Sequence, residues 1–360
     1  MNFTGGSLRV KLLHYVDDNV LSWGKPYVQL LGALRGLGCE NIAVCRPGGT
    51  LADLLEGSGF EVHTFKPIIS ALPGLAQGFG KILRSVKPDI IHTRLSSAAQ
   101  IAGIFGKKFN IPVLSTVDKF PRRKYYENAT LILPCSASVS QHMLAQGFSH
   151  EKTQVIPNAV DVKHYARNSE IRERIRKNEG IDDGRICFLG MGRLIDWKGF
   201  DDLLRGFAEF LKTRDNSVLW IAGDGQEREG LQKLAHDLGI SERVKFWGFL
   251  DDVRPVLWGA DIYVHPSWGD EAFGLSLLEA MSASLPAIAS ESGGMTEILS
   301  NGHGLLFPRR DIAALTRCME ECVTKIPQLS SAALSRAKDF DISVIAKKTF
   351  TLYKNIMAYS

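Results

Sequence analysis

No stretch of this chain approaches the roughly 18 consecutive apolar residues that a membrane-spanning helix requires. The opening MNFTGGSLRVKLLHY carries charges where a signal peptide has an unbroken apolar stretch, so a cytosolic location is expected. Cysteine is scarce. The six present (Cys39, Cys45, Cys135, Cys187, Cys318, Cys322) form no CxxC and stand beside no paired histidines, which excludes a disulfide framework and a zinc pattern. Cys318 and Cys322 lie one helical turn apart and fit a buried helical stripe. A composition of 45% hydrophobic, 23% charged and 9% aromatic residues excludes disorder, collagen and coiled coil.

What is there is a soluble-type composition over 360 residues, long enough for two packed cores. Its formal charge of +4 hides an asymmetry. Residues 1–165 carry 18 Lys and Arg against 11 Asp and Glu, while the remainder carries 25 against 28. Basic residues of the first half cluster with aromatics in FGKILRSVK (79–87), GKKF (106–109) and KFPRRKYY (119–126). Two readings stand: solvated loop and helix faces, or a surface for anionic lipid headgroups or a phosphorylated acceptor. No nucleic-acid motif accompanies the charge, and no nucleic-acid partner is expected.

Short β-branched and aliphatic runs alternate with amphipathic segments throughout, the pattern of βα units forming parallel sheets. The first half offers strands at 9–16, 41–45, 61–65, 89–93, 112–116, 131–134 and 154–157, with helices near 26–37, 74–86, 96–107 and 137–146. A charged, helix-forming stretch, NSEIRERIRKNEG, interrupts the pattern after Asn168. The second half offers strands at 185–192, 217–223, 243–248, 261–266, 285–290 and 304–307, with helices at 200–213, 226–238 and 274–283. The expected class is α/β, with two doubly wound Rossmann-like domains: 1–166, 167–340, and a terminal helix 341–360 packing on either one. Two such domains facing each other leave a cleft at the carboxyl ends of their strands, where ligands bind.

The most informative stretch is 265–294, HPSWGDEAFGLSLLEAMSASLPAIASESGG. Glu271 falls in a loop and Glu279 eight residues on, inside a helix beginning near Phe273 or Gly274. At 1.5 Å per residue the two carboxylates stand up to roughly 12 Å apart, too far for a shared proton or a retaining glycosidase pair. They serve different groups. Between them the N–H groups of Phe273, Gly274 and Leu275 form an anion site. Carboxylate, phosphate-binding amides, carboxylate is an order that suits a nucleotide sugar, with hexose hydroxyls at one end and ribose hydroxyls at the other.

EAFGLSLLE resembles the E-x7-E motif of the family 4 retaining glycosyltransferases, which have the GT-B fold. The likeness extends to MGRLIDWKG (191–199), AGDGQERE (222–229), PNAVD (157–161) and GGMTEI (293–298), in the family's order and spacing. It implies metal-independent transfer of a hexosyl unit from a nucleotide diphosphate sugar, UDP-linked, to a hydroxyl of a bacterial glycan or glycolipid such as lipopolysaccharide core or O-antigen intermediate. Arg193 and Lys198 then neutralise the leaving diphosphate, Glu271 positions the sugar and Glu279 holds the ribose. Gly192, Gly223, Asp224 and Gly225 lie by the nucleotide. WGFLDD brings Phe249 and Leu250 to the base, although Phe249 equally suits a core. Ala272, Phe273, Gly274 and Leu275 serve the phosphates. No cofactor is implied.

The first domain departs from the family at two places. Gly24 follows strand one where the family has two adjacent glycines, and Lys25 replaces the second, which restricts the backbone and adds a cation. Asp118 stands where the family has a histidine; it accepts hydrogen bonds, so contact with a sugar hydroxyl or the acceptor fits, and the histidine's donor role does not. His92 matches a position facing the cleft, and satisfied structure accounts for it equally. Asp339-Phe340-Asp341, the one Asp-x-Asp string, reads as a capping region rather than a metal site. Three rivals remain: a GT-B epimerase, a phosphorylase, and a catalytically silent partner subunit, which Lys25 and Asp118 favour. A basic, aromatic-rich first domain also suits peripheral attachment to the inner face of the cytoplasmic membrane.

Overall fold

The computed structural model describes residues 9–20, 23–67, 76–182 and 184–359. The chain divides into two compact units, one formed by residues 1–159 with 342–360 and the other by Val160–Asp341.

In the first unit the elements run β1 (Val10–Val16), α1 (Gly24–Gly36), β2 (Cys39–Cys45), α2 (Thr50–Gly57), β3 (Glu61–Thr64), α3 (Gln77–Val86), β4 (Ile90–Arg94), α4 (Ser96–Phe109), β5 (Val113–Val117), β6 (Leu131–Pro134) and α5 (Ala137–Ala145). The second unit follows with α6 (Val162–Tyr165), α7 (Ser169–Asn178), β7 (Ile186–Met191), α8 (Phe200–Leu211), β8 (Ser217–Ala222), α9 (Arg228–Asp237), β9 (Val244–Gly248), α10 (Arg254–Gly259) and β10 (Ile262–His265). It continues through α11 (Leu275–Ser282), β11 (Ala287–Ser290), α12 (Gly294–Leu299), β12 (Leu305–Phe307), α13 (Ile312–Thr324) and α14 (Ile326–Lys338); α15 (Ile342–Tyr359) then returns to the first unit.

Each unit holds a six-stranded parallel sheet, ordered β3-β2-β1-β4-β5-β6 in the first and β12-β11-β10-β7-β8-β9 in the second. This is the doubly wound arrangement the alternation predicts. The central strands are buried on both faces, which is why KLLHYV and ICFLGM read as continuous apolar runs rather than as alternation. In the first unit Leu12, Leu31 and Tyr353 fill one face of the sheet, and Tyr15, Phe79 and Phe105 the other. In the second, Phe188 lies in register between Leu219 and Ile262 on the sheet, and Phe207 and Phe210 of α8 meet its ring edge to face.

One strand assignment differs from the sequence expectation. Residues 154–157 are not a strand. The Gln154 and Ile156 N–H groups donate to Ile132 and Pro134 of β6 at 3.0 Å each, and β6 itself ends at Pro134, so the pairing goes no further. The segment therefore runs beside β6 as an extended connector. The terminal segment forms α15 and packs on α1. The charged interruption forms α7, whose Arg172 and Arg176 clasp Asp261 at 2.6 and 2.9 Å, so those charges pin the helix to the sheet.

Candidate functional site

The chemistry of the second unit collects after β7, β8 and β10, at the carboxyl ends of parallel strands. The turn after β7 places Trp197, whose carbonyl accepts from the Trp268 and Gly269 N–H groups at 3.0 and 3.1 Å. This ties the loop after β10 to the turn after β7. The tie brings Lys198 to Glu271: the ammonium donates to Oε1, and both side chains are largely buried. Ser267 Oγ donates to the same oxygen at 2.8 Å, and His265 Nε2 lies 3.1 Å from it. His265 Nδ1 in turn lies 3.2 Å from the Tyr263 hydroxyl, which donates to Ser276 Oγ at 3.0 Å. Among the described residues all three donors converge on Oε1 and none reaches Oε2.

Burial alone pushes the Glu271 carboxyl up, but the His265 hydrogen bond and the charges of His265 and Lys198 outweigh it and hold the group well below the usual carboxylate range. Glu271 is an ionised acceptor with one oxygen uncommitted. Sequence reading missed the supports His265, Ser267 and Tyr263. The signal available was the alternation of Tyr263 and His265 on one face of a strand leading into the acidic loop.

Glu279 sits at the fifth position of α11 and accepts a hydrogen bond from the Tyr165 hydroxyl at 2.9 Å. Burial dominates here and raises its carboxyl to about 7, against the opposing pull of Tyr165. The two glutamates thus have separate partners and opposite shifts, as groups with separate tasks do.

Helix α11 begins at Leu275, two residues later than the earliest expected start. Gly274 is its N-cap at φ 133°, and a Cβ there would stand 2.1 Å from Met295 Cε. Only glycine fits, and since it offers no side-chain cap the first-turn amides are those of Leu275, Ser276 and Leu277, not Phe273 to Leu275. Phe273 is buried against Phe340. Ala272 is half-buried beside it. The Gly294 N–H donates to the Glu271 carbonyl at 2.8 Å, so the GGMTEI segment anchors the acidic loop from behind.

Around the second strand end, Gly223 has φ 139°, and a Cβ there would overlap the Gly192 carbonyl at 1.8 Å. Its N–H donates to the Gly248 carbonyl at 2.8 Å, while Leu194 N–H donates to Asp224 at 2.9 Å. The glycines at 192, 223 and 225 therefore let three loops pack edge to edge. Asp224 closes its own turn, accepting from Gly225 N–H at 2.8 Å and Arg228 at 3.0 Å. Arg193 is exposed and, among the described residues, has no ion-pair partner. Phe249 is 74% exposed, which removes the core reading, and Leu250 beside it is half-buried.

In the first unit, Gly24 and Lys25 are not loop residues but the first turn of α1. His92 is buried, with Nδ1 2.5 Å from the Tyr353 hydroxyl of α15 and Nε2 2.8 Å from Thr116 Oγ1. Both nitrogens are committed within the core, so the structural account of His92 holds and neither nitrogen is left for a ligand. Asp118 lies 3.5 Å from Arg94 through Oδ2 and lines an open recess. In the Asp-x-Asp string, Asp339 pairs with Arg336 at 2.9 Å and Asp341 accepts from Val162 N–H at 3.4 Å.

Residues 171–333 match the family Glycosyl transferases group 1, and residues 27–164 match Glycosyltransferase Family 4. The lipopolysaccharide core biosynthesis glycosyltransferase LpsE of Rhizobium meliloti (strain 1021) is 28% identical over 88% of this chain and 89% of its own length. LpsD of the same organism, described in the same words, is 27% identical over 76% of each chain. Among solved structures, Anabaena HepE in complex with UDP superimposes with a TM-score of 0.86 at 21% identity, covering 96% of this chain and all of that one. The lipopolysaccharide outer core galactosyltransferase WaaB, in its apo form, gives 0.76 at 19% identity, covering 96% and 99%. Two family matches that between them span both units, relatives aligned over most of their length, and the paired doubly wound sheets place the chain in the family 4 glycosyltransferases, with the GT-B fold.

Proposed function

We propose that this glycosyltransferase moves a hexosyl unit from a UDP-sugar to a hydroxyl of a lipopolysaccharide-core type glycan, with retention at the anomeric carbon and without a metal ion. The observation that carries the reading is the Lys198–Glu271 pair set before the open first turn of α11, with Glu279 on the same helix. The Glu271 carboxylate, the first-turn amides of α11 and the Glu279 carboxylate then follow in chain order. Glu271 Oε2 accepts from the sugar, the amides of Leu275, Ser276 and Leu277 with Lys198 and Arg193 hold the diphosphate, and Glu279 accepts from the ribose. The main chain at Phe249 and Leu250 lies beside the base, with Gly192, Gly223 and Gly225 shaping the floor.

The UDP-bound and UDP-glucose-bound forms of HepE support the choice of donor, and the descriptions of LpsE and LpsD support the acceptor class. Glu271 and Glu279, eight residues apart with separate partners, do not suit a retaining-glycosidase pair, and front-face departure fits best, the leaving phosphate taking the acceptor's proton. The basic clusters of the first unit suit a lipid-linked or phosphorylated acceptor and attachment to the cytoplasmic face of an anionic membrane. Among the described residues no helix is long and apolar enough to cross a membrane.

The test is incubation with UDP-, GDP- and ADP-hexoses and a lipopolysaccharide core acceptor, with the product's anomeric configuration read by NMR. An α-linked product from a UDP-α-hexose, undiminished by chelator, is expected. An inverted product, or activity abolished by chelator and restored by magnesium or manganese, contradicts the reading. Donor turnover without any acceptor, giving an epimer, favours the epimerase.

A further inference from the structure

The turn after β12 carries Arg309. Pro308 has a fixed φ and its carbonyl accepts from the Asp311 N–H at 3.1 Å, while Asp311 caps α13 by accepting from the Ala314 N–H at 2.8 Å. The turn is therefore held at both ends. From it Arg309 commits every nitrogen of its guanidinium: Nε donates to the Glu291 carbonyl at 2.8 Å, Nη1 to the Trp268 carbonyl at 3.2 Å and Nη2 to Asp270 Oδ1 at 2.7 Å. Glu291 follows β11, and Trp268 and Asp270 follow β10, so one side chain joins the loops after three neighbouring strands.

Asp270 directly precedes Glu271. The segment before that carboxylate is thus held twice, by Trp197 through the Trp268 and Gly269 N–H groups and by Arg309 through the Trp268 carbonyl and the Asp270 side chain. The Trp197 ring also packs so closely on Gly269 that a Cβ there would stand 2.6 Å from it. An exposed ion pair such as Arg309–Asp270 contributes little by itself. Two main-chain carbonyls in the same fork change that, because a planar, rigid guanidinium then fixes the loop backbone together with the carboxylate.

We infer that Arg309 is a positioning residue for the transfer: it holds the loop that presents Glu271, and through that loop it sets how sharply the donor's sugar is discriminated. The inference rests on the reading of Glu271 as the group that accepts from the transferred sugar, and adds to it a residue acting at one remove. Lys198 and Glu279, which that reading assigns to the diphosphate and the ribose, lie outside the Arg309 contacts, so UDP affinity is not the quantity Arg309 controls.

The experiment measures transfer from UDP-glucose and UDP-galactose to lipopolysaccharide core by the full chain, Arg309→Ala, Arg309→Lys and Asp270→Ala, with UDP affinity by calorimetry. Arg309→Ala should lower kcat by about tenfold to a hundredfold and move the kcat/KM ratio of the two epimeric donors toward one, with UDP affinity little changed. Arg309→Lys should stay near Arg309→Ala, since one ammonium cannot span three acceptors. Methylguanidine should restore part of the lost kcat to Arg309→Ala, and methylammonium should not. Asp270→Ala, which leaves both carbonyl bonds in place, should move kcat and the ratio the same way by less, and it carries the test if Arg309→Ala does not fold. Wild-type kcat and discrimination in these variants, a loss of UDP affinity that matches the loss of kcat, or equal recovery with methylammonium overturns the inference. Glu271→Ala separates the two readings: unimpaired transfer in that variant strikes the donor-site reading, whereas lost transfer there beside wild-type behaviour of Arg309→Ala strikes the inference alone.

Discussion

Lys198 and Glu271 stand 73 residues apart in the sequence and share one hydrogen-bonded ion pair in the second unit. The pair exists because the loop after β10 is tied by two main-chain bonds to the turn after β7, and because His265 and Ser267 fix the same carboxylate oxygen from the other side. Lys198 thereby neutralises Glu271, while Oε2 meets no donor among the described residues.

Lys198→Ala should slow transfer by about a hundredfold or more, because it removes a fixed cation from a developing diphosphate charge. It should also raise the Glu271 carboxyl. Glu271 is depressed in the folded state, so its stabilising contribution is full above its ordinary value of 4.5 and is lost as the pH falls below it. Acid unfolding of Lys198→Ala should therefore begin at higher pH than in the wild type, a shift that circular dichroism across pH 2 to 6 would detect. Coincident curves would mean that the pair does not set the Glu271 charge.

His265→Ala should impair the reaction through Glu271 rather than by touching substrate. With the imidazole gone, Oε1 keeps only Lys198 and Ser267 among the described residues. A fall in kcat of about tenfold with little change in UDP affinity is expected, with partial recovery in His265→Gln, whose amide can still donate. A change confined to KM for the donor would contradict this positioning role.

Glu279 titrates at about 7 in the free protein because burial disfavours its charge. Its folded value is raised, so between pH 4.5 and 7 the folded state binds the extra proton and stability falls as the pH rises through that window. If the ionised carboxylate accepts from the ribose, UDP binding must release that proton and should tighten as the pH rises from 6 to 8. Titration calorimetry in buffers of different ionisation enthalpy measures the release directly. Glu279→Gln should abolish it, and Tyr165→Phe should move its midpoint upward, since the tyrosine hydroxyl favours the charged form.

His14 and His92 are buried neutral in the first unit; burial pulls His14 down to about 4 and also lowers His92. For a histidine lowered in the folded state, the unfolded chain takes the proton first. Stability is full above the ordinary value near 6.5 and declines as the pH falls toward the folded value. His14 alone should cost about 2 kcal/mol between pH 7.5 and 5. Urea unfolding at the two values checks this, and a smaller pH dependence in His14→Gln is the expected control.

Gly274→Ala should destabilise the second unit by about 1 to 3 kcal/mol, chiefly through the strained φ of 133°, since the Met295 methyl that a Cβ would meet ends a flexible side chain and can move aside. Met295→Ala alone tests the packing share, and the double variant should recover only part of the loss because the backbone strain persists. A melting temperature equal to wild type would show that the α11 cap tolerates a side chain.

The alternation of apolar runs revealed both sheets because a parallel strand buried on two faces leaves a dense local signature. The placing of Glu271 in a loop and Glu279 in the helix that follows was legible too, because the apolar run LSLL precedes Glu279 directly. Partners distant in sequence were not legible. Tyr165 lies 114 residues from Glu279, and Tyr353 lies 261 residues from His92, so no local pattern announces either contact. His92 looked available because its strand ends correctly, yet α15 fills the space beside it. The start of α11 was misplaced because Gly274 adopts a φ that ends the extended loop without beginning the helix.

The most direct measurement is calorimetric titration of UDP into the full chain, Glu279→Ala and Lys198→Ala at pH 7.5. The account predicts saturable binding to the wild type without added metal, and a loss of about tenfold or more in each variant. Unchanged affinity in both variants would contradict it, since neither the ribose contact nor the diphosphate contact would then lie where the second unit carries these side chains.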